Sequence, residues 1–105
     1  MNPRLNQLLE FYKEDPHDPF NVYALAMEYL GNEPNQALIY LELLIKDHPD
    51  YLPTYYQLAG LYVDLGFEDK AKITYEIGIE KAIIANKTHT LSELKRAYQN
   101  FLFEM

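Results

Sequence analysis

Cysteine is absent from the 105 residues, which excludes disulfides, thiolate metal sites and a cysteine nucleophile. Glycine occurs only at Gly31, Gly60, Gly66 and Gly78, always singly, so there is no glycine-rich loop to cradle a phosphate. Ser92 is the sole serine and lies in no G-x-S-x-G elbow. Basic residues are scarce: nine Lys and Arg against 16 Asp and Glu give a formal charge of −7. Such a field repels phosphate backbones and anionic lipid, arguing against nucleic acid and membrane surfaces as partners. No apolar run nears the roughly 18 residues that a membrane span needs. The N-terminal MNPRLNQLLEFYKEDP is interrupted by charge before any apolar signal-peptide core forms. The cytoplasm is the default expectation.

What is present is an ordinary globular composition, 49% apolar and 24% charged. The length suits one domain and is too short for two with separate cores. Nothing alternates as a strand would. Prolines divide the chain into helical segments instead. Asn2-Pro3 suits a helix start, followed by an apolar stripe of Leu5, Leu8, Leu9 and Tyr12. A second helix is predicted between Pro19 and about Leu30, and a third from Pro34 to Asp47. A fourth should run from Pro53 to Leu65, where Gly66 suits the left-handed position that ends a helix. The fifth is expected from Glu68 or Asp69 to about Ala85. Thr90 and Glu93 have capping-box spacing, predicting a sixth helix over about 91–104.

The chain repeats itself. Val22-x2-Leu25-Ala26-x2-Tyr29 recurs 33 residues on as Tyr55-x2-Leu58-Ala59-x2-Tyr62, and Ala37-x3-Leu41 recurs 34 residues on as Ala71-x3-Tyr75. A small residue in each helix of a pair is what two antiparallel helices need where their backbones cross closely. A helix–turn–helix unit of about 34 residues with this pattern resembles the tetratricopeptide repeat (TPR), W-x2-L-G-x2-Y, then A-x3-F, then P. Leu25, Tyr29, Ala37 and Pro49 fit in the first repeat, and Leu58, Tyr62 and Ala71 in the second. Ala26 and Ala59 stand for the glycine, Val22 and Leu41 replace aromatics, and Tyr55 and Tyr75 are close stand-ins. Gly78 serves as a further small contact, while Ile83 takes the place of the second closing proline. Pro16 precedes Leu25 by nine residues as Pro49 precedes Leu58, so the first helix resembles the second half of a truncated repeat. Leu91-x2-Leu94-Lys95-x2-Tyr98 keeps the spacing of a first helix, with Lys95 where a small residue belongs.

The resemblance implies an all-α, right-handed solenoid of about six helices: a half-repeat helix over 1–15, repeats over 19–51 and 52–85, and a capping helix over 90–105. It implies a protein-interaction module whose first helices line a concave groove. Phe20, Tyr23, Ala24, Met27 and Leu30 fall on groove positions of the second helix. The fourth helix contributes Tyr56, Gln57, Gly60, Val63 and Asp64, and the last contributes Ser92, Glu93, Arg96 and Gln99. The surface therefore grades from aromatic to polar. Three readings of its aromatics stand: a ligand groove, self-association as a homodimer through the groove or end faces, and packing within the chain. The apolar third helix, with Ile39, Tyr40 and Leu43 turned toward neighbouring second helices or the convex side, raises the same alternatives.

In the family's best-known version, Lys, Asn and Arg side chains clamp the acidic tails of heat-shock chaperones. Here the matching positions hold Tyr23, Met27, Gln57, His89 and Glu93, which do not form such a clamp. An apolar or aromatic segment with basic residues is the better expected ligand. His17, His48 and His89 fall in expected turns with no pairing of the H-E-x-x-H kind. They read as solvated rather than metal ligands, and Glu76 and Glu80 read as a solvated charged surface. Neither a cofactor nor a catalytic activity is expected. Beneath the last helix, some of Ile73, Ile77 and Ala82 of the fifth are expected to be buried.

Overall fold

The computed structural model describes residues 2–105. Six α-helices account for most of them, with no strand among the described residues. They are α1 (Pro3–Glu14), α2 (Pro19–Leu30), α3 (Pro34–Asp47), α4 (Pro53–Leu65), α5 (Glu68–Ile84) and α6 (Thr88–Glu104). Proline opens each of the first four, where its missing N–H costs no hydrogen bond. Asn2 and Asp18 cap the amides of α1 and α2. Gly66 closes α4 at φ +83°, and Asn86 takes the same left-handed role after α5 at φ +57°. At both turns an amide reaches back past the helix end, Phe67 N–H to the Tyr62 carbonyl and Lys87 N–H to that of Ala82.

The chain forms two compact units, Met1–Tyr51 and Leu52–Met105. In the first, α2 and α3 pack as an antiparallel pair across a short turn, with α1 laid on α2. Val22, Leu25 and Ala26 of α2 meet Ala37, Leu41 and Leu44 of α3, all buried, with Leu8 of α1 beside them. The polar residues of α2 hold α1 at both ends. Asn21 donates its amide to the carbonyls of Phe11 and Asp15, while Glu28 accepts from Asn2 and pairs with Arg4 at 2.9 Å. The ends of α1 and α3 are alike. Asp15 and His48, 33 residues apart, share nearly the same backbone angles and donate to Phe11 and Leu44 respectively. Tyr40 of α3 stacks on Tyr29 of α2 and meets the ring edge of Tyr12 of α1.

In the second unit α4 pairs with α5, and α6 packs on both. Tyr55, Leu58, Ala59 and Tyr62 of α4 and Ala71 and Tyr75 of α5 are buried. Gly78 lies so close to Tyr55 that only glycine fits. From α6, Leu94 and Phe101 are buried, while Tyr98 stacks on Tyr75 and donates its hydroxyl to Glu76 at 2.7 Å.

Three local expectations are corrected. The sixth helix starts at Thr88 rather than near residue 91, and its start carries no side-chain cap, so Thr90 and Glu93 form no capping box. His89 therefore lies on the first helical turn and faces Glu93 one turn on, at 3.7 Å with both side chains largely exposed. Glu76 is tied to Tyr98 rather than merely solvated. Of the three α5 residues expected in part beneath α6, Ala82 is buried. Ile73 and Ile77 are 55% and 42% exposed, because the side of α5 under α6 is the one carrying Tyr75 and Gly78.

Candidate functional site

An α2 of 12 residues has few ways to point. With Val22, Leu25 and Ala26 committed to α3, and Asn21 and Glu28 committed to α1, the remaining face carries Phe20, Tyr23, Met27 and Leu30. These four recur at three- and four-residue steps, one stripe of a helix. Phe20 is 56% exposed, while Tyr23, Met27, Leu30 and Ala24 are half-buried. Tyr23 gains cover from Tyr51, whose ring lies 5.7 Å away at 60°. Packing within the chain thus accounts for part of Tyr23 and leaves Phe20 on the surface.

Tyr51 was not among the residues legible in the sequence. It sits in the turn between α3 and α4. Burial, then the neighbouring Tyr23 hydroxyl and the Asp18 carboxylate, push its phenol above the ordinary tyrosine range. Next to it opens a cleft of about 360 Å³ lined by Pro19, Asp47, His48, Pro49, Asp50 and Tyr51.

In the second unit, Tyr56 is 44% exposed, Gln57, Gly60 and Val63 are half-buried, and Asp64 is exposed on α4. A side chain added at Gly60 would meet nothing within 4 Å. Tyr75 lies close enough to feel this face: its phenol is pushed up by burial, then by Tyr56 and Asp64. Arg96, Ser92, Glu93 and Gln99 on α6 are exposed. Among the described residues no group of three His, Asp or Glu could hold a metal ion. No described helix is long and apolar enough to cross a membrane.

No protein-family model and no curated protein matches the chain. Solved structures do. A tetratricopeptide repeat domain protein from Salinibacter ruber is 42% identical in its crystal structure, with a TM-score of 0.77 over 80% of this chain and 94% of that one. Its solution structure gives 43% identity and a TM-score of 0.78 over 83% and 89% of the two chains. MamA, at 21% identity and a TM-score of 0.64 over 93% of this chain and 64% of its own, shares the fold. With buried small residues at Ala26, Ala37, Ala59 and Ala71 where the repeat demands them, and with that identity over nearly all of a solved domain, the chain belongs to the tetratricopeptide repeat family.

Proposed function

We propose that the chain is a protein-interaction module without catalytic activity or cofactor, and that it seats an apolar or aromatic segment of a partner protein. Phe20, Tyr23, Met27 and Leu30 of α2 are the main contacts. Tyr56, Gln57, Gly60 and Val63 of α4, with Arg96 of α6, form a more polar second set. The observation that carries this reading is the exposure of Phe20 on a helix whose polar residues are already engaged with α1. Large aromatic groups left at a surface and desolvated on binding are where interface energy concentrates. Burying one such side chain contributes about 1.5–3 kcal/mol, so three support roughly micromolar binding after association costs. The net charge of −7 disfavours nucleic acid and anionic lipid.

Partner capture by Phe20→Ser and Tyr56→Ala chains tests this. Both variants should keep wild-type helicity and melting and lose partner. Undiminished capture by both would refute it. Self-association as a homodimer is the second reading, favoured by Ile73, Ile77 and Ile84, exposed on one side of α5. Light scattering across a concentration series decides between them: a monomer supports the partner reading, a stable dimer the second.

A further inference from the structure

The apolar row of α2 has the geometry of a helix–helix seam. Phe20, Tyr23, Met27 and Leu30 follow at steps of three, four and three residues, the a and d positions of a heptad. They extend over about 15 Å of the helix. Ala24, one turn after Phe20, is small enough to let a second helix axis come close. Polar groups on this face are few. Asn21 and Glu28 are engaged with α1, and Tyr29 stacks on Tyr40 of α3, so the row itself carries only the hydroxyl of Tyr23. An extended segment laid here would bring a line of backbone N–H and C=O groups onto apolar surface with little to receive them. A helix satisfies those groups within itself.

The charge around this row is of one sign. From Glu14 to Ile45 the sequence has no Lys or Arg, while Glu14, Asp15, Asp18, Glu28, Glu33 and Glu42 supply six carboxylates. Arg4, from outside this stretch, pairs with one of them, Glu28. Both ends of the row are negative. At its start the Asp18 carboxylate accepts from Phe20 N–H at 3.0 Å. At its other end α2 has no basic residue in the last turn, so no cation of its own offsets the carbonyl pole of the helix dipole.

We propose that the α2 row takes an amphipathic helix of a partner protein, apolar at its a and d positions and rich in Lys or Arg on its flanks. The inference rests on the α2 face being the docking surface, as proposed above, and adds the conformation and the charge of what docks there. Such a segment lays its apolar stripe along Phe20, Tyr23, Met27 and Leu30. Its cations stay at the rim, where the acidic stretch attracts them and speeds encounter. A second copy of this chain suits the row less well, because pairing α2 with α2 would bring two acidic stretches together.

The test uses the full chain, labelled for amide NMR, and three capped peptides of about 15 residues with leucine at the a and d positions. The first carries lysine and glutamine elsewhere, the second has glutamate for every lysine, and the third is the first with proline at two central glutamines. A peptide of this length is a marginal helix alone, so a gain of helicity by circular dichroism reports the bound form. The lysine peptide should shift the amides of residues 20–30 and gain helicity. It should bind about tenfold more tightly than the glutamate peptide at low salt, an advantage that shrinks as salt is added. A Phe20→Ser/Met27→Ser chain, unchanged in net charge, should lose this binding, and the shifts in the wild-type chain locate the contact independently of that variant. Equal binding of the glutamate peptide, or equal binding of the proline peptide without helicity, would overturn the inference and leave the α2 surface standing if residues 20–30 still shift. Lysine-peptide binding that survives in the double variant would be charge attraction alone and would overturn it too. Shifts of residues 20–30 that grow with the concentration of the chain alone, and that no peptide alters, would assign the row to a second copy and refute the partner helix. Silence of residues 20–30 toward every peptide and at every chain concentration would refute both the helix and the α2 surface.

Discussion

A Cβ placed on Gly78 of α5 would stand 2.7 Å from the Cβ of Tyr55 on α4, a separation that real side chains do not adopt. The same atom would lie 3.3 Å from Leu94 Cδ1 of α6. Gly78 is thus the point at which all three helices of the second unit approach one another. Gly78→Ala should gain the better helix propensity of alanine, about 1 kcal/mol, and lose more through overpacking, for a net destabilisation of about 1–3 kcal/mol. Gly60→Ala is the internal control, since nothing lies within 4 Å of its added methyl. It should stabilise by about 0.5–1 kcal/mol. Urea midpoints moving in opposite directions bear this out, and a stabilised Gly78→Ala chain would refute the close crossing.

Ala59 is fully buried on the seam between α4 and α5. Ala59→Leu should overpack it and cost about 1–3 kcal/mol. Lys72→Ala, at an exposed position of α5, should stay within about 0.5 kcal/mol. Equal denaturation midpoints for the two chains would contradict the repeat register.

Asn21 donates to two carbonyls at the end of α1, those of Phe11 and Asp15. Both bonds lie at the surface, so Asn21→Ala should cost about 1 kcal/mol. Hydrogen exchange should localise the effect, with amides of α1 opening faster and those of α5 unchanged. Uniform acceleration throughout would show that Asn21 does not anchor α1 specifically.

Tyr98 is held neutral in the folded chain. Partial burial, the hydrogen bond to Glu76 and the charge of that carboxylate push its phenol from 10.0 up to about 12. A pKa raised in this way stabilises the folded state fully below pH 10, and the contribution is lost as pH climbs from 10 to about 12. Tyr98→Phe should therefore cost about 0.5–1 kcal/mol near neutrality, and the gap to wild type should close above pH 10. A gap that persists unchanged at the alkaline end would refute the contact.

Thr54, in the first turn of α4, is fully buried and its hydroxyl finds no hydrogen-bond partner among the described residues. Valine keeps the shape and removes the unmet polar group. Thr54→Val should raise stability by up to about 1 kcal/mol. A loss on thermal or urea melting would mean that the hydroxyl is paired in solution.

Helix limits were legible because their causes are local. Pro3, Pro19, Pro34 and Pro53 each open a helix through a fixed φ and a missing donor, and Gly66 closes one at positive φ. The two seams were legible too, since Val22, Leu25 and Ala26 repeat as Tyr55, Leu58 and Ala59 at helical spacing, and all six are buried. Where α6 begins was not, because the expected caps Thr90 and Glu93 lie inside a helix whose start follows the left-handed Asn86. The candidate surface divides in the same way. That Phe20, Tyr23, Met27 and Leu30 share a face follows from their spacing alone. That Tyr51 covers Tyr23, that Asp47 and Asp50 share a cleft with it, and that Tyr98 reaches Glu76 was decided by tertiary structure. Periodicity along one helix tells which residues turn inward, but contacts between turns and separate helices depend on where packing brings those segments together.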